Sequence, residues 1–282
     1  MIEFLSNSLT PVILIYVVSA MLALGLSQTV NQIFDSLRNV RITLSAVVAS
    51  YIILPLIAVS IATLFGLDPA LRFGLVLMSM AAGAEIGPLL TANSNGNVRL
   101  AGGLLVISIA ITIVYLPVML GVFLPGVHFP LGHLLIKLCV TVVAPLILGF
   151  FIRSRFEKIA NTAEKYIYAI SRIFVIVLTV IVVLLYYRRI IDLFGTYAVL
   201  AGFLYVVGGF GIGYLLGLPE RGTSLAMGYM HSARNASVAI MVANDVFHDQ
   251  VDVMLMIALL VIFMLIILVP LSVILKVKPG AE

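Results

Sequence analysis

Three side chains able to carry a charge lie deep in apolar stretches of this sequence. Glu85 interrupts RFGLVLMSMAAGAEIGPLL, and His231 and Arg234 interrupt GYMHSARNASVAIMVA. A guanidinium can donate two parallel hydrogen bonds to a carboxylate, while Glu or His can take up and release a proton. Asn235 follows directly, and its amide can either bind a ligand or cap a helix. These four residues could therefore hold an organic anion and couple its movement to a proton.

The composition decides which elements must position these side chains. The chain of 282 residues is 63% apolar and only 10% charged, and apolar runs recur from one end to the other. About 20 such residues cross a ~30 Å hydrocarbon core as a helix, so the sequence predicts an all-α integral membrane protein. Basic residues stand singly at the ends of apolar runs, so no nucleic-acid partner is predicted. No linker is long enough for a soluble domain, and residues 1–282 are expected to form one transmembrane domain.

We predict about nine transmembrane helices from apolar runs bounded by charges, Pro or Gly. Their approximate bounds are 9–27, 42–65, 69–91, 99–124, 133–152, 172–187, 197–217, 223–244 and 251–275. The longest polar linker between them is 153–172, RSRFEKIANTAEKYIYAISR.

Lysine and arginine are unequally divided between the two predicted sides of the membrane. The side reached after an odd number of crossings holds Arg38, Arg41, Arg99, Arg153, Arg155, Lys158, Lys165, Arg172, Arg221, Lys276 and Lys278. The other side holds only Arg72, Arg188 and Arg189. Because cytoplasmic loops are enriched in Lys and Arg, the C-terminus is expected in the cytoplasm and the N-terminus outside.

Two of the predicted helices look interrupted. In the third, Gly83, Gly87 and Pro88 surround Glu85, and the eighth carries the polar motif that includes Ser232. Pro removes a backbone hydrogen bond and Gly weakens a helix, and a membrane tolerates such breaks only beside protein or a water-filled cavity. Paired interruptions in two antiparallel halves are typical of secondary transporters built from inverted repeats.

A helical rise of about 1.5 Å per residue brings Glu85, His231 and Arg234 to similar depths, which allows one cluster. Two interpretations stay open. Glu85 and Arg234 could form a neutralising pair that clamps the broken helices together. Alternatively, Arg234 binds a substrate carboxylate while Glu85 or His231 carries a proton.

Three stretches of the chain resemble the bile acid:sodium symporter family. They are MLALGLSQTVNQIFDSLRNVRITLSAVVASYIILPLIAVSIATLFGLDPALRFGLVLMS, GNVRLAGGLLVISIAITIVYLPVML and ARNASVAIMVANDVF. The resemblance follows the family's order along nearly the whole chain and is to a divergent bacterial branch. It implies a panel and a core, with two unwound helices crossing in the core beside the substrate and sodium sites. The first helix matches the family's second, which implies inverted repeats of four helices plus five.

The same resemblance identifies a departure in the sodium sites. Positions where the family has oxygen ligands for two sodium ions hold Ser50, Gly87, Pro88, Ala101, Leu105 and Met230 here. Sodium is a hard cation that requires oxygen ligands, and most of these side chains supply none. We therefore expect the usual sodium coupling to be lost rather than kept, with a proton as the alternative coupling ion. No other metal ion and no organic cofactor is expected.

These observations predict a secondary transporter of a small or amphipathic organic anion that works by alternating access, located in a bacterial inner (plasma) membrane. The alternative is a membrane receptor or scaffold that keeps the fold without transporting. No Ser-His-Asp spacing or pair of intramembrane aspartates indicates an enzyme. No obligate protein partner is indicated; the expected partners are the lipid bilayer and a small organic anion.

Overall fold

The computed structural model describes residues 2–28, 39–123, 131–247 and 249–277. Within these ranges the chain is all-helical and contains no strand. The helices are α1 Ile2–Ser27, α2 Val40–Leu64, α3 Pro69–Met80, α4 Ile86–Asn93, α5 Val98–Phe123, α6 Gly132–Arg155, α7 Glu157–Leu193, α8 Ala198–Leu216, α9 Arg221–Ser232, α10 Ala236–Val246 and α11 Val251–Ile274. Arg38 and Lys278, which entered the charge comparison, lie outside the described residues.

Among the described residues, seven helices are long and apolar enough to cross a membrane, namely α1, α2, α5, α6, α7, α8 and α11. The all-helical prediction is therefore confirmed for the described residues. The remaining four helices are short and come in two consecutive pairs, α3 with α4 and α9 with α10. Each pair lies in a span that the sequence marks as interrupted.

The predicted span 172–187 and the polar linker 153–172 are wrong in extent. The helix α7 begins at Glu157 and ends at Leu193, with one non-helical residue, Tyr186, near its end. Charged residues in its first part end the apolar run, so hydropathy predicts a linker there although the helix is continuous. At about 1.5 Å per residue, its 37 residues exceed a ~30 Å apolar layer, so charged turns can lie beyond that layer.

Proline sets a local widening in three of the long helices. A five-residue π-helical turn ends two residues before a proline in α2, α6 and α11. The turns are Ala49–Ile53, Cys139–Val143 and Met264–Leu268, followed by Pro55, Pro145 and Pro270. Because proline has no N–H to donate to the carbonyl four residues earlier, the preceding turn can widen by one residue. The turns in α2 and α11 carry Tyr51 and Met264, which both contribute to the site described below.

The helices differ in the neighbours that they contact most. The helix α1 packs mainly on α6 and α7 and also touches α10, whereas the two short pairs pack mostly among α2, α5, α8 and α11. Glycines permit the closest approaches: a Cβ on Gly25 would lie 2.2 Å from the Leu146 carbonyl oxygen, and one on Gly213 would lie 2.3 Å from that of Met227. The outer faces of the helices expose rows of aliphatic side chains, as on α5 at Val114, Val118 and Val122. Such faces suit contact with lipid chains.

Candidate functional site

The first break separates α3 from α4 at residues 81–85. Gly83 has a φ of +88°, a backbone conformation that other residues rarely adopt, and a Cβ there would meet the Ile109 side chain at 2.7 Å. The carbonyls freed by the break have partners: Ala81 O accepts from the Asn235 backbone N–H at 2.8 Å, and Ala82 O accepts from Thr112 Oγ1 at 3.1 Å. The break is thus held by polar contacts from neighbouring helices, as a membrane interior requires.

The second break separates α9 from α10 at residues 233–235, and Asn235 ties it to the first. Its Nδ2 donates to the Gly83 carbonyl at 2.8 Å. Its Oδ1 accepts from the Val238 N–H at 3.1 Å, which caps α10, and from Ser237 Oγ at 2.6 Å. Of the two roles that the sequence left open for Asn235, capping is the one that its contacts display.

The other predicted break residues lie at the edges of these interruptions. Ser232 is the last residue of α9, and its hydroxyl donates to the Val206 carbonyl at 2.6 Å. Gly87 and Pro88 lie inside α4 rather than in the break, which ends at Glu85. The first break therefore depends on Gly83 more than on the proline.

Arg234 lies in the second break and is buried, with 1% of its surface exposed. Its backbone N–H contacts the Met264 sulfur at 3.2 Å. Its side-chain atoms Nε, Nη1 and Nη2 are all buried, and none has a hydrogen-bond partner among the described residues. A buried guanidinium carries five N–H donors and a full charge, so this is the least satisfied group of the site.

Three tyrosines, from α2, α5 and α8, lie within electrostatic range of the Arg234 guanidinium: Tyr51, Tyr115 and Tyr205. Two of them are fixed by hydrogen bonds, since Tyr51 Oη lies 2.5 Å from the Ser108 carbonyl and Tyr115 Oη donates to the Tyr51 carbonyl. The third, Tyr205, is 1% exposed, and its hydroxyl lies beside the guanidinium. The hydroxyl and the guanidinium are close enough to interact, although neither has a hydrogen-bond partner as placed.

Nothing in the sequence marks Tyr205 as a residue of the site. It stands in AGFLYVVGGFGIG, where no charge or break draws attention to it. The glycines that follow allow α8 to approach α9 closely, for a Cβ on Gly209 would lie 3.2 Å from the His231 carbonyl oxygen. This close packing could have indicated that α8 lines the second break.

His231 faces two carbonyl oxygens. Its Nδ1 lies 2.7 Å from Met227 O and its Nε2 lies 3.2 Å from Ala46 O. A neutral imidazole has one N–H and can donate to only one of them, whereas the protonated ring could donate to both. The ring is buried, with 1% of its surface exposed.

The predicted cluster of Glu85, His231 and Arg234 does not form. The structure contains no ion pair between Glu85 and Arg234, and the half-buried Glu85 lies instead in the electrostatic field of Tyr16 on α1 and Tyr168 on α7. Counting residues along a helix gives the depth of each side chain in the membrane but not the direction in which it points around the helix axis. His231 and Arg234 do share one region, and Glu85 faces another.

The sodium bile acid symporter family model matches residues 14–193, which is nearly two thirds of the chain. This chain belongs to that family. The matched residues include the first break and Glu85, while the second break follows them. Family membership and the apolar helices together make the chain an integral membrane protein.

Curated relatives carry the same family name. The chain is 28% identical over 152 residues to the proteins named sodium/bile acid cotransporter 4 of Mus musculus, Homo sapiens and Rattus norvegicus. The alignment covers 51% of this chain and 35% of each relative. The chain thus matches about a third of the length of these relatives.

The positions where the family resemblance expects sodium ligands are closely packed here. Gly87 and Met230, from α4 and α9, are in contact: a Cβ on Gly87 would lie 2.5 Å from the Met230 sulfur. Ala101 and Leu105 of α5 are fully buried, and Ser50 lies buried in the widened turn of α2. The thioether of Met230 therefore lies at a position where the family resemblance implies an oxygen ligand for sodium.

Proposed function

We propose that this protein is a secondary transporter of a small or amphipathic organic anion, and that Arg234 binds the carboxylate of that anion. One observation carries the proposal: a guanidinium with 1% exposure and no hydrogen-bond partner among the described residues lies in a helix break. An unpaired charge in a membrane interior is costly, and carboxylates are the best-matched partners of arginine.

The surroundings of Arg234 favour an anion further. The helix α10 begins two residues later, at Ala236, so the positive end of a helix dipole lies near Arg234. The Tyr205 hydroxyl adds a second buried donor without a partner. A carboxylate between these groups would satisfy donors that the protein leaves unpaired.

The architecture suits alternating access. In our proposal each short pair, α3 with α4 and α9 with α10, counts as one crossing, which gives nine crossings in repeats of four and five. The helices α1, α6 and α7 then form a panel, and the broken helices with α2, α5, α8 and α11 form a core. The hydrogen bonds between the two breaks support movement of this core as a unit, because Asn235 joins them.

Weak or absent dependence on sodium is part of the proposal. The contact between Gly87 and Met230 supports it, since the sulfur fills space that an oxygen ligand would need. His231 and Glu85 are the candidates for proton coupling. The two carbonyl oxygens that face His231 are acceptors that both N–H groups of a protonated ring would need.

Uptake by purified protein in liposomes tests the proposal. Labelled lactate, hippurate, glycocholate or succinate is offered to liposomes preloaded with the same unlabelled anion, under an imposed sodium gradient, an imposed proton gradient, or neither. We expect saturable uptake of at least one carboxylate that a sodium gradient does not accelerate. Arg234→Gln should weaken this uptake, and Arg189→Gln is its matched control, because Arg189 is exposed and pairs with Asp252. Uptake of none of these carboxylates would contradict the proposed function, and uptake driven steeply by sodium alone would contradict the loss of sodium coupling.

A further inference from the structure

The Arg234 side chain has no hydrogen-bond partner among the residues that the structure describes. Other cations near the ends of the helices have one: Lys137 pairs with Asp245, and Arg189 pairs with Asp252. Residue counting along the helices places Glu85 at a depth similar to that of Arg234. The Glu85 side chain nevertheless faces Tyr16 of α1 and Tyr168 of α7. Since no described residue accepts a hydrogen bond from the Arg234 guanidinium, an anionic ligand is the partner that we expect for it.

This arrangement makes the closed, empty site unfavourable. A buried charge that loses its partner destabilises a protein strongly, and the cost grows when water is excluded. Alternating access requires a state in which the site is closed to both sides. With a carboxylate on Arg234 that state is electrically neutral at the site, and without one the protein must bury a bare guanidinium.

We propose that the protein is an obligatory exchanger of monovalent carboxylates, which changes access only with an anion held by Arg234 and Tyr205. This inference rests on the proposed function and adds the transport mode and the charge of the substrate. An anion must leave on the carrier before another can enter, because the empty carrier does not return. One fixed positive charge matches one carboxylate, and a dianion would leave a negative charge uncompensated in the closed state.

Tyr205 has a separate part in the same site. Its hydroxyl is buried without a partner and lies beside the guanidinium. It can therefore donate a hydrogen bond to an oxygen of a carboxylate that Arg234 binds. It carries no charge and does not decide whether the empty site can close. Loss of this hydroxyl is therefore expected to weaken binding without changing the transport mode.

Exchange and net uptake are compared in liposomes that are either preloaded with an unlabelled carboxylate or left without it. A potassium gradient with valinomycin removes any limit from charge movement. Lactate, hippurate and glycocholate are the monocarboxylates compared. Whichever of them is transported should enter preloaded liposomes at least about tenfold faster than unloaded ones. Returning the empty carrier needs a barrier only ~1.4 kcal/mol higher than returning the loaded one to give this factor of ten. Succinate should not stimulate from inside. In Tyr205→Phe the half-saturating concentration should rise while the ratio of exchange to net uptake stays high.

Two results would overturn the inference while leaving the proposed function intact. One is net uptake as fast as exchange in the native protein, and the other is equal stimulation by succinate. Absence of uptake in every arm would instead contradict the proposed function.

A melting experiment decides the cost of the empty site without any transport. In potassium sulfate, Arg234→Met should melt at a higher temperature than the native protein, because it removes the unpaired charge and keeps much of the side-chain volume. Sodium lactate or hippurate should raise the melting temperature of the native protein and not that of the variant. A native protein that melts above Arg234→Met in sulfate would show that the guanidinium is satisfied without a ligand, and the exchange mechanism would fail.

Discussion

Asn235 Nδ2 donates to the carbonyl oxygen of Gly83 at 2.8 Å, so the second helix break holds the first directly. The two residues are 152 positions apart in the chain. The same asparagine caps α10 through its Oδ1, so one side chain fixes both interruptions and the start of a half-helix. Its neighbour Arg234 is positioned by these bonds and makes none with its own side chain.

Replacing Asn235 with alanine should destabilise the protein strongly. The change removes a helix cap and leaves the Gly83 carbonyl without its side-chain donor, which together cost about 2–4 kcal/mol. The matched control is Asn97→Ala: Asn97 caps α5 by accepting from the Leu100 N–H at 3.0 Å but does not join the breaks through that bond. Its loss should cost about 1 kcal/mol. Unfolding in mixed micelles measures both, and equal costs would contradict the bracing role of Asn235.

Gly83→Ala should also destabilise, by about 2–4 kcal/mol, for two additive reasons. Alanine is strained at a φ of +88°, and its Cβ would lie 2.7 Å from the Ile109 side chain. Gly121→Ala is the control, since Gly121 lies in α5 with open space around it. There alanine should be neutral or stabilise by up to about 1 kcal/mol, because it favours the helix. If both variants unfold alike, the conformation described for Gly83 is wrong.

The contact between Gly87 and Met230 predicts non-additive substitutions. Gly87→Ala alone should cost about 1–3 kcal/mol, because its Cβ would lie 2.5 Å from the Met230 sulfur. In a Met230→Ala background the same change should cost less than about 0.5 kcal/mol, since the sulfur is gone. The difference is a coupling energy of at least about 0.5 kcal/mol in a double-mutant cycle. Additive effects would show that the two positions do not touch, and the argument against a sodium site there would lose its support.

Much of the helical layout could be predicted because it depends on local properties. Apolar length predicts the spans, and Gly, Pro and polar residues mark the segments that the structure divides at 81–85 and 233–235. The first part of α7 was mistaken for a linker because charged residues do not end a helix; they only end its contact with lipid. The part of a helix that extends beyond the membrane is polar, so its hydropathy does not distinguish it from a linker.

The candidate site was less accessible from sequence. Depth along a helix follows from residue counting, but the direction of a side chain around the axis depends on how the helices pack. That is why Glu85 and Arg234 were grouped although they face different neighbours. Tyr205 was missed for the same reason, since only the close approach of α8 to α9 brings its hydroxyl beside the guanidinium.

The affinity of the transported carboxylate for Arg234 variants tests the central claim most directly. Arg234→Gln removes the charge and keeps a polar side chain, whereas Arg234→Lys keeps the charge and loses the two-pronged geometry. We expect the half-saturating concentration in liposomes to rise about 10- to 100-fold in Arg234→Gln, the range for losing one charge-assisted interaction, and less in Arg234→Lys. Unchanged affinity in an Arg234→Gln protein that folds normally would contradict the claim that this arginine holds the anion.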